Sequence, residues 1–172
     1  MKTFNHVIFA CMLLVLVLLL TGCGSRNEGP ALPLEDLAGK LCKGVELPPY
    51  EVAALDRTNF EYYAFIPYDE SLSAVSADAL VNITPHSLVL IRAENGNGAE
   101  LAEKIVGNAD PNKWLCVGSE TVRVAYTDHF VLLVMSEVST ADALTKNFEA
   151  LAQELDGMDA ELLTADNPRH ES

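Results

Sequence analysis

Hydrophobic and polar positions follow two different regimes along this chain. Residues 7–20 are apolar without a break, behind a short polar lead carrying Lys2, and the run stops at Thr21 and Gly22. Those 14 residues fall short of the ~20 that a comfortable transmembrane helix needs. Polar lead, apolar run and small residues are the three parts of a secretory signal peptide, here residues 1–22.

Beyond it the pattern becomes periodic. Residues 24–33 (GSRNEGPALP) are rich in Gly and Pro and read as a flexible tether. Leu34, Leu37, Ala38, Leu41 and Cys42 then recur at helical spacing. Glu35 and Asp36 occupy the first turn, Lys40 and Lys43 the end, and Gly44 is the stop. Pro48 and Pro49 break the chain, and 50–55 predicts one or two helical turns. The aromatic stretch 60–66 (FEYYAFI), closed by Pro67, predicts a strand. A short helix is expected over 76–81, and a nearly continuous apolar strand over 87–91.

The Glu94-Asn95-Gly96 turn follows, with Asn97 and Glu100 spaced as a helix cap. Leu101, Ile105 and Val106 make an apolar helical face that stops at Gly107. Residues 121–126 alternate, with Val122, Val124 and Tyr126 on one side. Thr127, Asp128 and His129 make a tight turn into 130–135 (FVLLVM). Ser139, Thr140 and Asp142 open a last helix lined by Leu144, Phe148, Leu151 and Leu155 and ended by Asp156-Gly157. Residues 158–172 are polar and acidic, and are expected to fray as a tail.

The resulting order is α-β-β-α-β-β-α. It predicts an α+β domain over 34–157, with a four-stranded, largely antiparallel sheet packed by about three helices. Two strand–turn–helix units overlay at an offset of 43, where His86, Leu90, Glu94 and Leu101 coincide with His129, Leu133, Glu137 and Leu144. The strands 87–91 and 130–135 are apolar on both faces. Helices should therefore cover both sides of the sheet, or one side should meet a partner.

Leu20-Thr21-Gly22-Cys23 resembles the lipobox of bacterial lipoproteins: aliphatic, small, Gly or Ala, then Cys. The resemblance implies a diacylglycerol thioether on Cys23 and cleavage between Gly22 and Cys23. Residues 23–33 would then be a lipidated cysteine plus tether. Two acyl chains suffice for stable attachment, since each buried methylene contributes ~0.8 kcal/mol. The alternative is an uncleaved signal anchor with an incidental cysteine.

Charge narrows the partners. The chain carries 11 Lys+Arg and 25 Asp+Glu. Removing 1–22 takes away Lys2 and no acid, leaving a net of −15. Such a surface repels phosphate backbones and anionic headgroups, which argues against nucleic-acid binding and against electrostatic membrane attachment. Processing and lipidation of Cys23 leave Cys42 and Cys116, which can form a disulfide in an oxidising compartment or remain two buried thiols.

Taken together, the lipobox, tether, amphipathic first helix and aromatic segment, with SLVLI at 87–91, the 99–106 helix and HFVLLV at 129–134, resemble a family of small Gram-positive lipoproteins. That family is designated domain of unknown function 4358, and the likeness covers 34–155. It implies a lipid-anchored extracytoplasmic α/β domain on the cell membrane, and carries no catalytic residues.

Candidate chemistry is sparse. His86, His129 and His170 remain after processing. Asp128 and His129 could orient an imidazole, with Ser87 or Ser136 as nucleophile, in a small hydrolase of cell-wall material. Adjacent turn residues rarely form a triad, and no Gly-x-Ser-x-Gly elbow is present, so the pair reads as turn and strand end. The cysteines and histidines lack zinc spacing. Residues 94–98 and 156–161 are acidic but lack the ligand spacing of an EF-hand, and no phosphate-cradling loop occurs. Neither metal nor cofactor is expected. Trp114 with Tyr62, Tyr63 and Phe65 could floor a pocket for a sugar or peptide, or pack as ordinary core. The favoured expectation is a non-enzymatic domain that binds an envelope protein or a small envelope ligand.

Overall fold

The computed structural model describes residues 32–168, apart from 82 and 115. The leader, the Leu20, Thr21, Gly22 and Cys23 lipobox, residues 24–31 of the tether, Leu115 and His170 lie outside the described residues. The elements run α1 (Leu34–Cys42), β1 (Tyr50–Leu55), α2 (Phe60–Ala64), β2 (Leu72–Ala79), β3 (Ser87–Ala93), α3 (Gly98–Asn108), β4 (Thr121–Tyr126), β5 (Phe130–Ser136), α4 (Val138–Leu155) and β6 (Glu161–Asp166). All the strands join one antiparallel sheet ordered β1-β2-β3-β5-β4-β6. The expected four strands, three helices and α-β-β-α-β-β-α order are therefore corrected to six strands and four helices among the described residues.

Each correction has a local cause. Val52 and Leu55 are three apart and mimic a helical face. Residues 50–55 nevertheless form the edge strand β1, held by pairing of Tyr50 with Ala79 through Leu55 with Ala74. Residues 60–66 are not a strand. Asp56 Oδ1 accepts from the Thr58 N–H, Asn59 Oδ1 accepts from the Asp56 N–H, and the Phe60 N–H donates to the Asp56 carbonyl. These bonds start the short helix α2, which buries Phe60 and Ala64 one turn apart. The helix expected over 76–81 is the end of β2, where Ala74, Ser76 and Asp78 face one side and Val75 and Ala77 the other. The tail expected to fray contains β6, paired to β4 from Thr121–Asp166 to Tyr126–Glu161. Leu163 and Ala165 of β6 rest on the core, so the domain reaches beyond residue 157.

β3 and β5 occupy the middle of the sheet, and helices cover both faces. On one face α1 and α4 lay Leu37, Leu41, Leu144 and Phe148 over Leu88, Leu90, Leu132 and Val134. On the other, α2 and α3 lay Phe60, Leu101 and Ile105 over Val89, Ile91, Leu133 and Met135. Asn147 of α4 donates to the Leu41 and Lys43 carbonyls at the end of α1, satisfying groups a helix C-terminus leaves open. Asn97 stands at the start of α3 without making the expected side-chain cap. The Gly98 N–H donates to the Asp128 carbonyl instead.

The two overlaid units part company at their helices, since α3 and α4 lie on opposite faces. Their histidines keep a reciprocal relation. His86 precedes β3 and shares a hydrogen bond with Ser136 at the end of β5; His129 precedes β5 and meets the Ala93 carbonyl at the end of β3, each at 3.3 Å.

Candidate functional site

Lysine side chains usually carry their ammonium to water, yet that of Lys113 is 5% exposed. It reaches the β2–β3 ladder where Asp78 pairs with Ser87. Its ammonium donates to Ser87 Oγ at 2.8 Å and to Asp78 Oδ2 at 3.3 Å, and Ser87 Oγ donates to Asp78 Oδ1 at 2.7 Å. An ammonium has three N–H donors, and aromatic rings occupy the remaining directions. Nζ lies 5.0 Å from the Tyr63 and Trp114 ring centres, 5.5 Å from Tyr62 and 6.0 Å from Phe65. All four distances fall within the ~6 Å over which a ring face attracts a cation.

Local geometry assembles this cage. α2 is too short to bury a long stripe, and it presents Tyr62 and Tyr63 from consecutive positions, their rings edge to face at 5.0 Å. Phe65 ends the helix in the left-handed region at φ 58, an uncommon conformation for a bulky residue. Its N–H donates to the Glu61 carbonyl, and its own carbonyl accepts from Asn108 of α3. The reversal brings the Phe65 ring back beside the tyrosines.

Burial governs the electrostatics. Desolvation pushes the Asp78 carboxyl above its ordinary range, against the pull of Lys113 and Ser87. It pulls the Lys113 ammonium down, against Asp78. On the opposite face of the sheet, fully buried His86 is driven down to about 4, first by burial and then by the Lys113 charge. Its Nδ1 bonds Ser136 Oγ, and its Nε2 has no hydrogen-bond partner among the described residues.

Beside the cage opens a concavity of about 900 Å3. Lys113 and Trp114 belong to its wall, and Asp110, Glu120 and Glu137 give it acidic character. Cage and concavity together bring π faces, one part-buried carboxylate and three further acidic side chains to one region of the domain. The Ser87 hydroxyl is fully buried and committed to Asp78, so it is not presented as a nucleophile.

The residues singled out from sequence fare unevenly. Trp114, Tyr62, Tyr63 and Phe65 do converge, around a lysine. Asp128 and His129 lie in the turn organised by Thr127, whose Oγ1 accepts from the His129 and Phe130 N–H groups. That turn is at the opposite end of β3 and β5 from Ser87 and Ser136, so the imagined serine–imidazole arrangement is not brought together. Cys42 is a buried free thiol whose pKa burial raises, and Cys116 is an exposed free thiol on the concavity. The two are not joined. Gly96 and Gly157, at φ 67 and 63, make a turn and a helix stop in the two acidic segments. Among the described residues no cluster of three or more His, Cys, Asp or Glu could hold a metal, and no helix is long and apolar enough to cross a membrane.

Lys113 and Asp78 escaped the sequence reading. An Asp inside a strand is unusual enough to flag a partner, but the signal was hidden while 76–81 read as a helix. No family model matches this chain, and comparison with the curated proteins and with the solved structures found no match.

Proposed function

We propose that the chain is a lipid-anchored extracytoplasmic lipoprotein whose domain binds a ligand at the cell envelope, using the concavity beside Lys113 and Trp114. The lipobox Leu20-Thr21-Gly22-Cys23 supports the anchor, and likeness to the small Gram-positive lipoprotein family belongs to the same proposal. The observation that carries the binding reading is the concavity itself, opening on a part-buried ion pair whose lysine is ringed by aromatic side chains.

Its placement suits a tethered module. The Leu32 carbonyl accepts from Arg92 near one end of β3, whereas Ser87 and the cage lie at the other. At the rise of an antiparallel strand, the backbones of Arg92 and Ser87 are roughly 17 Å apart along β3. The site is thus held away from the point where the tether joins the domain. The hydrolase alternative through Asp128 and His129 has less support, because Ser87 and Ser136 stand at the far end of the sheet.

Two measurements test the proposal. Cys23→Ala should move the protein from the detergent to the aqueous phase and remove the diacylglycerol mass; unchanged partitioning and mass refute the anchor. A small-molecule extract of the envelope should shift the fluorescence of Trp114, the single tryptophan, in the detergent-solubilised lipoprotein. Unaltered emission refutes the binding site.

A further inference from the structure

We propose that the ring of Tyr62, Tyr63, Phe65 and Trp114 over Asp78 is a recognition site for an alkylammonium group, which the chain keeps filled with its own Lys113. The inference rests on the binding-domain reading and names the ligand class of that site. Lys113 plays the part of the ligand, so its contacts show what the site accepts.

Three features distinguish this from a structural ion pair. First, the ammonium has a short bond to Ser87 and a long one, 3.3 Å, to Asp78, while four ring centres lie within 6.0 Å. A pair built for hydrogen bonding would surround Nζ with oxygens. Ring faces attract a cation whether or not it carries N–H groups, and so suit a fully alkylated ammonium. Second, Tyr62 is 59% exposed, so one wall of the cage stands at the surface. Third, Lys113 also lines the concavity, where Asp110, Glu120 and Glu137 stand. An entering cation would displace the ammonium from Asp78 toward that wall, and the cost of leaving Asp78 weakens binding to the wild type. The vacated cage keeps its rings and the Asp78 charge for an entering cation. The concavity's acids, on a mature chain of net charge −15, raise the local concentration of cations at its entrance.

The occupant is therefore a compact alkylammonium group, free or borne on a larger envelope molecule. A primary ammonium gains the Ser87 and Asp78 bonds; a quaternary one gains the ring faces alone. Because the cage is filled in the resting protein, external binding is weakened by Lys113 and strengthened by its removal.

The experiment is a titration of the detergent-solubilised lipoprotein, with Trp114 emission as readout. The probes are choline, methylammonium and the uncharged choline isostere 3,3-dimethylbutan-1-ol. Saturable change with at least one cation, absent or about tenfold weaker with the isostere, is expected. Choline binding tighter than methylammonium marks the rings as the dominant element, and the reverse order marks Ser87 and Asp78; either order supports the proposal. Lys113→Ala should bind about tenfold more tightly than wild type, and adding Asp78→Asn to it should reverse the gain. Equal response to the isostere, no saturable response to either cation in the wild type, or a folded Lys113→Ala with no gain in affinity would each overturn it. Should Lys113→Ala fail to fold, the wild-type titration decides alone. An envelope extract that shifts Trp114 while both cations are silent leaves the binding reading standing and this inference refuted. Silence to extract and cations refutes both.

Discussion

Acidification should weaken this domain through one buried imidazole. His86 is fully buried, bonds Ser136 through Nδ1, and has no partner on Nε2 among the described residues. Desolvation, and then the Lys113 charge, lower it from 6.5 to about 4. In the unfolded chain the same ring titrates near 6.5. As the pH falls from 6.5 to 4 the unfolded chain binds the proton first, so stability declines across that window. It is full above 6.5, and the loss is complete just below 4. At 1.36 kcal/mol for each pH unit between the two values, the loss reaches about 3 kcal/mol. That is a large part of the ~5–15 kcal/mol total of an ordinary domain. Asp78 acts in the opposite sense: its raised carboxyl makes the folded state take up a proton more readily as the pH drops. The comparison must therefore be made against a variant that retains Asp78. Urea unfolding followed by circular dichroism, from pH 7.5 to 4.5, should show the wild type losing about 2–3 kcal/mol more than His86→Asn over the range. Parallel curves would show that the imidazole is not held neutral by burial, and the reasoning would fail.

Two further outcomes follow from the same geometry. Asp78→Asn leaves the Lys113 ammonium buried without its counter-charge and should cost about 3–5 kcal/mol in chemical denaturation; pairing it with Lys113→Met should recover most of that, and a mild single-variant effect would mean the ammonium already reaches water. Thiol titration of the native protein should modify Cys116 at once and Cys42 only after denaturation, since one is exposed and the other buried with a raised pKa; loss of both thiols under non-reducing denaturation would instead reveal a disulfide.

Where local pattern and tertiary demand coincide, the sequence was readable. α1, β4 and α4 combine clear periodicity with proper boundaries, β3 and β5 are nearly unbroken apolar runs, and the structure places all five within a residue or two of expectation. The failures share one cause: short segments whose conformation is fixed by a neighbour. β1 and β6 are edge strands with mostly exposed side chains, and the few that touch the core are only partly buried, so too short an alternating pattern was written into them. β2 is buried on both faces but uses Ala, Ser and Asp there, residues with little strand preference. Its small side chains leave room for α1 on one face and α2 on the other. The candidate site was half legible. Its four aromatic residues stood out; the lysine and aspartate they enclose did not, because their meaning depends on β2 pairing with β3.

The most instructive misreading is FEYYAFI at 60–66, since it coincides with the proposed site. Aromatic residues favour strands because they pack well on a pleated, half-buried surface, and this segment had that composition. A strand would have sent Tyr62 and Tyr63 to opposite faces of a sheet. In the helix α2 they stand side by side, and the left-handed turn at Phe65 folds a third ring toward them. Local preference is thus overridden where several rings must converge on one charge. Sequences that specify a fold cleanly agree across levels, and departures concentrate at functional or strained positions. Here a departure in propensity, an uncommon backbone conformation and a buried charge meet around Lys113. Each has a local cause, in the Asp56 and Asn59 bonds that start α2, the helix-ending turn at Phe65 and the Asp78 partner of Lys113. Their coincidence at one place is what the proposed cation site would require.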